Sequence, residues 1–207
     1  MPADVALGVR HHTGWAVMVA IGGDARRPVL VDRQRLNLMG SDLPREAYHV
    51  AANLPAADGK RLVAEASAAA VLAAGREVSR VKAELKARGH SLIAVGIAAD
   101  VRKLPPLERI LHVHTLRHSA EGEMFRAAIA DACTDLELEV IHTSPKDIKR
   151  LATTELSISE AALDDLLAQM GREAGPPWQQ DHRQATVAAM LALASVGADP
   201  VRRGVGR

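Results

Sequence analysis

Short apolar runs dominate the start of the chain. Residues 4 to 10 (DVALGVR) and 15 to 21 (WAVMVAI) are separated by His-His-Thr-Gly, and a Gly-Gly-Asp turn leads into a third run within "IGGDARRPVLVDRQRLNL". Apolar runs this short, punctuated by turn formers, predict three strands joined by tight connections. Residues 40 to 59 carry prolines and other turn formers and read as a loop with one helical turn. From Gly59 the pattern becomes helical: Val71, Val78, Val81 and Leu85 recur at helical spacing until Gly89 supplies a stop.

"SLIAVGIAAD" is a continuous apolar run, the pattern of a central strand covered on both faces. After Pro105-Pro106, Ser119 is placed to cap a helix whose stripe is Phe125, Ala128, Ile129, Ala132 and Leu136. "LELEVIHTSP" predicts a fifth strand. A short helix then carries Leu163, Leu166, Leu167 and Met170 behind Ser157 and Glu160, which have capping-box spacing. Residues 181 to 196 form the last helix, and "RRGVGR" is expected to be a disordered basic tail. Three strands followed by alternating helices and strands define an α/β arrangement. The fourth and fifth strands run parallel to the first, so their carboxyl ends share one edge.

Composition sharpens this picture in one respect. Hydrophobic residues make up 48% of the 207 positions, enough for a sizeable core in a single domain over residues 1 to 200. They are mostly Ala, Leu and Val, with Trp15, Tyr48, Phe125 and Trp178 the aromatic residues, so helices are expected to pack closely on the sheet. The formal net charge is +1, and no overall positive field argues for a nucleic-acid partner. The lone Cys133 falls in an apolar helical pattern and favours a reducing compartment. With no charged leader and no long uncharged apolar run, the expected location is cytoplasmic and no membrane contact is expected.

The strand order, with Gly8-Val9 before a turn and Thr13-Gly14-Trp15-Ala16 opening the next strand, resembles the ribonuclease H-like fold and its RuvC-type Holliday-junction resolvase branch. That resemblance implies a mixed five-stranded sheet between helices. It also implies acids at the ends of the first and fourth strands and an acid-x-x-acid pair opening the last helix, which together hold two divalent ions, magnesium or manganese, for phosphodiester cleavage. Carried onto this chain, the first-strand acid falls on Arg10, the fourth near Ala98 with Asp100 close by, and the final pair on Asp181 and Gln184. A guanidinium cannot be deprotonated and repels a metal ion, so the usual two-metal site is not expected. The resemblance makes DNA or RNA the expected partner and a homodimer conceivable.

Several residues admit two readings. Asp181-His182-Arg183-Gln184 has the spacing of a capping box as well as of a catalytic pair. Asp100 is a turn residue or a ligand. His11, His12 and His142 follow strands ending on one edge and His182 opens the covering helix, so a metal cluster is one reading and coincidence among nine histidines the other. In "HTLRHSAEGEMFRAAI", His118 to Glu121 and Glu123 to Arg126 are three-residue steps that can share a helix face. Glu121 and Glu123 are either ordinary helix-start charges or replacements for a missing metal-binding acid.

Arg10, Arg102, Lys103, Lys146, Lys149 and Arg150 all follow strands on the same edge, giving either a solvated rim or a phosphate-binding path. No aromatic interleaving suggests stacked single-stranded bases. The chain has no Walker loop, Gly-x-Gly-x-x-Gly, Cys-x-x-Cys, His-Glu-x-x-His or Gly-x-Ser-x-Gly motif. Three functional classes follow. The first is a nucleic-acid-associated protein with a degenerate site. The second is a metal-dependent nuclease or phosphodiesterase rebuilt on Asp181, Asp100, Glu121, Glu123 and histidines. The third is a protein-interaction scaffold using the loops around Pro44 to Pro55 and Pro105 to Pro106.

Overall fold

A computed structural model describes residues 3–198; the basic tail expected at 201 to 207 lies outside the described residues. Five strands form one sheet in the order β3-β2-β1-β4-β5. The first three, β1 (Ala3–His12), β2 (Trp15–Asp24) and β3 (Arg27–Asn37), pair antiparallel. The remaining two, β4 (His90–Ala98) and β5 (Glu139–Thr143), extend the sheet in parallel with β1. This is the mixed five-stranded α/β sheet that the order of apolar runs predicts.

Strand alternation divides the apolar residues between two cores. Val5, Leu7 and Val9 of β1 and Ala16, Met18 and Ala20 of β2 face α1 (Ala47–Ala51), α2 (Ala56–Ala87) and α4 (His114–Asp135). Ala6 of β1 and Val17, Val19 and Ile21 of β2 face α5 (Ile148–Glu155), α6 (Glu160–Ala174) and α7 (Gln180–Ala198). The α3 helix (Leu107–His112) leads into α4 through Val113 alone. Cys133 is fully buried in the first core.

The abundance of alanine has a specific use on the α7 side. Ala185, Ala188, Ala189 and Ala192 are buried there, and Gly8 and Gly96 lie directly beneath the helix backbone. A methyl group at Gly8 would collide with the Ala185 carbonyl oxygen, and one at Gly96 with that of Ala188. Close contact of this kind brings the start of α7 against the carboxyl end of β1.

Four local expectations are corrected. The α2 helix starts at Ala56 behind Pro55, and Val71 is 44% exposed because the inner stripe is built from Ala66, Ala70, Ala73 and Ala74 with Val63, Val78, Val81 and Leu85. Ser119 does not cap α4, which already begins at His114; its hydroxyl donates to the Thr115 carbonyl one turn back. Ser159, not Ser157, caps α6 by accepting from the Ala162 N–H, while Ser157 adopts a left-handed conformation in the turn before it. The capping-box spacing of Asp181 and Gln184 is used otherwise, since both side chains reach across to β1.

Candidate functional site at the carboxyl ends of the parallel strands

At the end of β1 successive side chains point to opposite faces of the sheet. Arg10 and His12 point toward α7, and His11 toward α4. Arg10 donates from Nε to Gln184 Oε1 at 3.0 Å, and the same nitrogen lies 4.0 Å from Asp181 Oδ1. Its Nη1 makes longer hydrogen bonds to the His11 and Ala98 carbonyls, at 3.3 and 3.4 Å. Ala98 ends β4, so one guanidinium bridges the ends of two parallel strands and the first turn of α7.

His12 donates from Nε2 to Asp181 Oδ2 at 2.9 Å, a carboxylate being able only to accept. Its ring stacks on Trp15, with centroids 4.3 Å apart, and Arg35 covers Trp15 at 4.1 Å. Arg33 fixes the segment leading into α7 by donating to the carbonyls of Ala174, Gly175, Pro176 and Pro177. Asp181 itself sits between His12 at Oδ2 and Arg10 at Oδ1.

On the other side of the strand ends, a cleft of about 330 Å³ is lined by Arg10, His11, Asp100, Arg102, His118 and Glu123, among others. His11 is pushed down to about 4 by burial first, then by the charges of Arg10, His12 and Arg126. Asp100 is exposed at the wall. Glu123 is gripped by Arg126, which donates from Nε and Nη2 at 2.9 and 2.6 Å. The same carboxylate accepts the Arg102 backbone N–H at 3.2 Å.

The four candidate acids fall in three separate places. Asp181 lies on the α7 side, while Asp100 and Glu123 line the cleft. Glu121, 1% exposed, turns beneath α1 and accepts from His49 Nδ1 at 2.8 Å and from the His49 backbone N–H at 3.3 Å. Two residues of helix rotate Glu121 and Glu123 to different faces of α4.

Nor do His11, His12, His142 and His182 converge. Sheet alternation separates His11 from His12. His142 accepts at Nε2 from Arg126 Nη1 at 2.6 Å, and burial followed by the Arg126 charge lowers its pKa. His182 accepts the Gln179 N–H at Nδ1 and packs against Trp178; burial, then Arg33, lowers its pKa. Among the described residues, three ligand-type side chains come together instead at His49, His114 and His118. His49 lies in the proline-containing segment whose pattern predicts a loop with one helical turn, and nothing local marks it as a partner of His114 and His118. His114-x-x-x-His118 was the available signal, a one-turn step that places two imidazoles on one helix face.

The basic residues divide in two. Lys149 pairs with Asp164 at 2.7 Å and Glu160 at 3.8 Å, and Arg150 with Asp147 at 3.2 Å. Arg102, Lys103 and Lys146 are exposed, and their side chains make no ion pair among the described residues. No described helix is long and apolar enough to cross a membrane.

No protein-family model and no curated protein matches the sequence. Among solved structures, the chain is similar to Thermus thermophilus RuvC in complex with a Holliday junction substrate, at 10% identity over 97% of this chain and 96% of that one, with a TM-score of 0.55. A second T. thermophilus RuvC structure matches at 11% identity over 93% of this chain and 95% of that one, with a TM-score of 0.53. The fold is thus the RuvC-type, ribonuclease H-like arrangement of helices on a mixed sheet.

Proposed function

We propose that this chain is a nucleic-acid-binding protein of RuvC-like fold whose strand-end site engages backbone phosphate without two-metal cleavage. The observation that carries the reading is the Arg10 guanidinium, 3.0 Å from Gln184 Oε1 and 4.0 Å from Asp181 Oδ1. A permanent cation stands among the groups that a two-metal site would require as anions. Two divalent ions need several carboxylate oxygens at one place. Here Asp181 already accepts from His12, Gln184 is an amide, and β4 ends in Ala98. The donor set does not fit the metal pair.

Phosphate suits the same residues. Arg10 retains Nη2 without a hydrogen bond among the described residues and lines the cleft with Arg102. Lys103 adds exposed positive charge next to Arg102. The fold likeness supports the choice of partner, because one of the similar RuvC structures is bound to a Holliday junction.

The test mixes untagged protein with labelled four-way-junction, duplex and single-stranded DNA, in manganese or in chelator, and reads binding and cleavage on the same samples. The expected result is salt-dependent binding with no cleavage in either condition. Arg10→Ala combined with Arg102→Ala is expected to weaken binding about tenfold or more, equivalent to about 1.4 kcal/mol. Manganese-dependent cleavage would overturn the reading in favour of a rebuilt nuclease site. No binding to any of the three DNAs would overturn it in favour of a protein or small-molecule partner.

A further inference from the structure

A second site adjoins the strand-end cleft on α4 and shares His118 with it. His49 comes from the short α1 helix, and His114 and His118 from successive turns of α4. Their ring centroids are 4.3 Å apart for His49 and His118, 4.6 Å for His114 and His118, and 5.2 Å for His49 and His114. One ligand nitrogen from each ring falls within 4.8 Å of the others. Three imidazoles around zinc, with Zn–N bonds of about 2.0–2.1 Å, require nitrogens about 3.4 Å apart. The contraction is within reach of side-chain rotation, because His114 and His118 are both exposed.

His49 supplies the stronger argument. Its Nδ1 is committed to the buried Glu121 carboxylate at 2.8 Å. Its Nε2 is buried and has no hydrogen-bond partner. A buried polar atom without a partner is unfavourable unless something fills its lone pair. A histidine oriented through one nitrogen by a carboxylate, with the other nitrogen bare, has the arrangement found where imidazole binds a metal. Glu121 also lies 4.0 Å from His118 Nδ1. A divalent cation would give this buried anion a counter-charge.

We infer that His49, His114 and His118 form a binding site for a divalent transition-metal ion, zinc being the best match, with Glu121 orienting His49 from behind. Three protein nitrogens leave a fourth tetrahedral position open to solvent or to an exchangeable ligand. The ion would fasten α1 to α4, joining segments 65 residues apart in sequence. The competing description is a His49–Glu121 hydrogen bond with no metal. This inference does not depend on the nucleic-acid reading, because the ion is detected directly.

The test uses untagged protein stripped with chelator, titrated with zinc by calorimetry and with cobalt(II) by its visible absorption. One equivalent is expected to bind, and cobalt should develop the intense spectrum of a tetrahedral site. His114→Ala and His118→Ala each remove an exposed ring and should fold; each is expected to weaken zinc binding at least tenfold. Glu121→Gln is expected to weaken it by 10- to 100-fold, the range found for groups that orient metal-bound histidines. His12→Ala should leave it unchanged. Absence of stoichiometric uptake, or uptake indifferent to both exposed-histidine variants, overturns the inference in favour of the metal-free His49–Glu121 pair. Loss of uptake in His12→Ala overturns it by placing the ion at the strand ends.

Discussion

Arg10 and Gln184 lie 174 residues apart in sequence, yet they meet through a 3.0 Å hydrogen bond that ties the end of β1 to the first turn of α7. The contact also holds the Arg10 charge beside Asp181. Replacing Arg10 with Asp would place two carboxylates together at a half-buried strand end, with His12 hydrogen-bonded to Asp181 beside them. Arg10→Asp is expected to lower the melting temperature in chelator by several degrees, with manganese recovering part of the loss by binding the folded state. Differential scanning fluorimetry with and without manganese reads both effects, and a variant indifferent to manganese would show that the pair cannot form a cation site.

Acid should weaken the fold through His11. The unfolded imidazole takes a proton below about 6.5, whereas the folded one, desolvated and flanked by Arg10, does so only near 4. Between those values the unfolded chain binds more protons, so stability falls as pH drops from 6.5 toward 4 and is fully present above 6.5. The term is worth up to about 3 kcal/mol. Urea midpoints at pH 7, 5.5 and 4.5 should converge more slowly toward zero in His11→Gln; identical slopes in variant and parent would exclude His11 as the source.

Arg126 is 8% exposed and satisfies both Glu123 and His142. Arg126→Met would leave the Glu123 carboxylate without its main partner, at a cost of about 3 kcal/mol. It also removes a charge that holds His142 down, so the His142 titration followed by NMR should move up toward the ordinary imidazole range. A stability loss with an unmoved titration would separate the two contacts.

Gly8 and Gly96 leave no room for a side chain beneath α7. Gly8→Ala is expected to cost about 3 kcal/mol, at the upper end of overpacking effects because the obstacle is helix backbone. Gly75→Ala, where a methyl meets nothing within 4 Å and the residue is helical, should be neutral or stabilising by about 1 kcal/mol. Chemical denaturation of the two variants side by side reads the contrast.

Burial pushes the Cys133 thiol up to about 12. It should therefore resist thiol reagents in the native protein at pH 8 and react within seconds once unfolded in guanidinium. Rapid native labelling would mean that α4 opens locally.

The sheet was legible because short apolar runs and glycine-bearing turns report local geometry, and residues 4 to 38 follow it closely. The capping residues were not, since Ser119 and Ser157 compete with equally plausible neighbours and tertiary contacts decide where a helix begins. At the strand ends, it was the resemblance to RuvC-type resolvases that put Arg10, Asp181 and Gln184 at matching positions, and the fold brings these three together. The sequence could not place His49 beside His114 and His118. That meeting depends on α1 folding back over α4, a long-range packing event with no local periodicity. The strand-end histidines, for which coincidence was one of the two readings, stay apart for a complementary reason: residues next to one another at a strand end are near in sequence and on opposite sides of the sheet.

The α4 helix carries His114, His118 and Glu121 toward α1, and Glu123 and Arg126 toward the strand ends. Phe125 and Ile129, both fully buried, anchor it to the first core. A single stiff rod therefore serves two adjoining chambers that meet at His118. A change at that ring is felt in both, so adapting one side alone falls to its loops and its other exposed side chains.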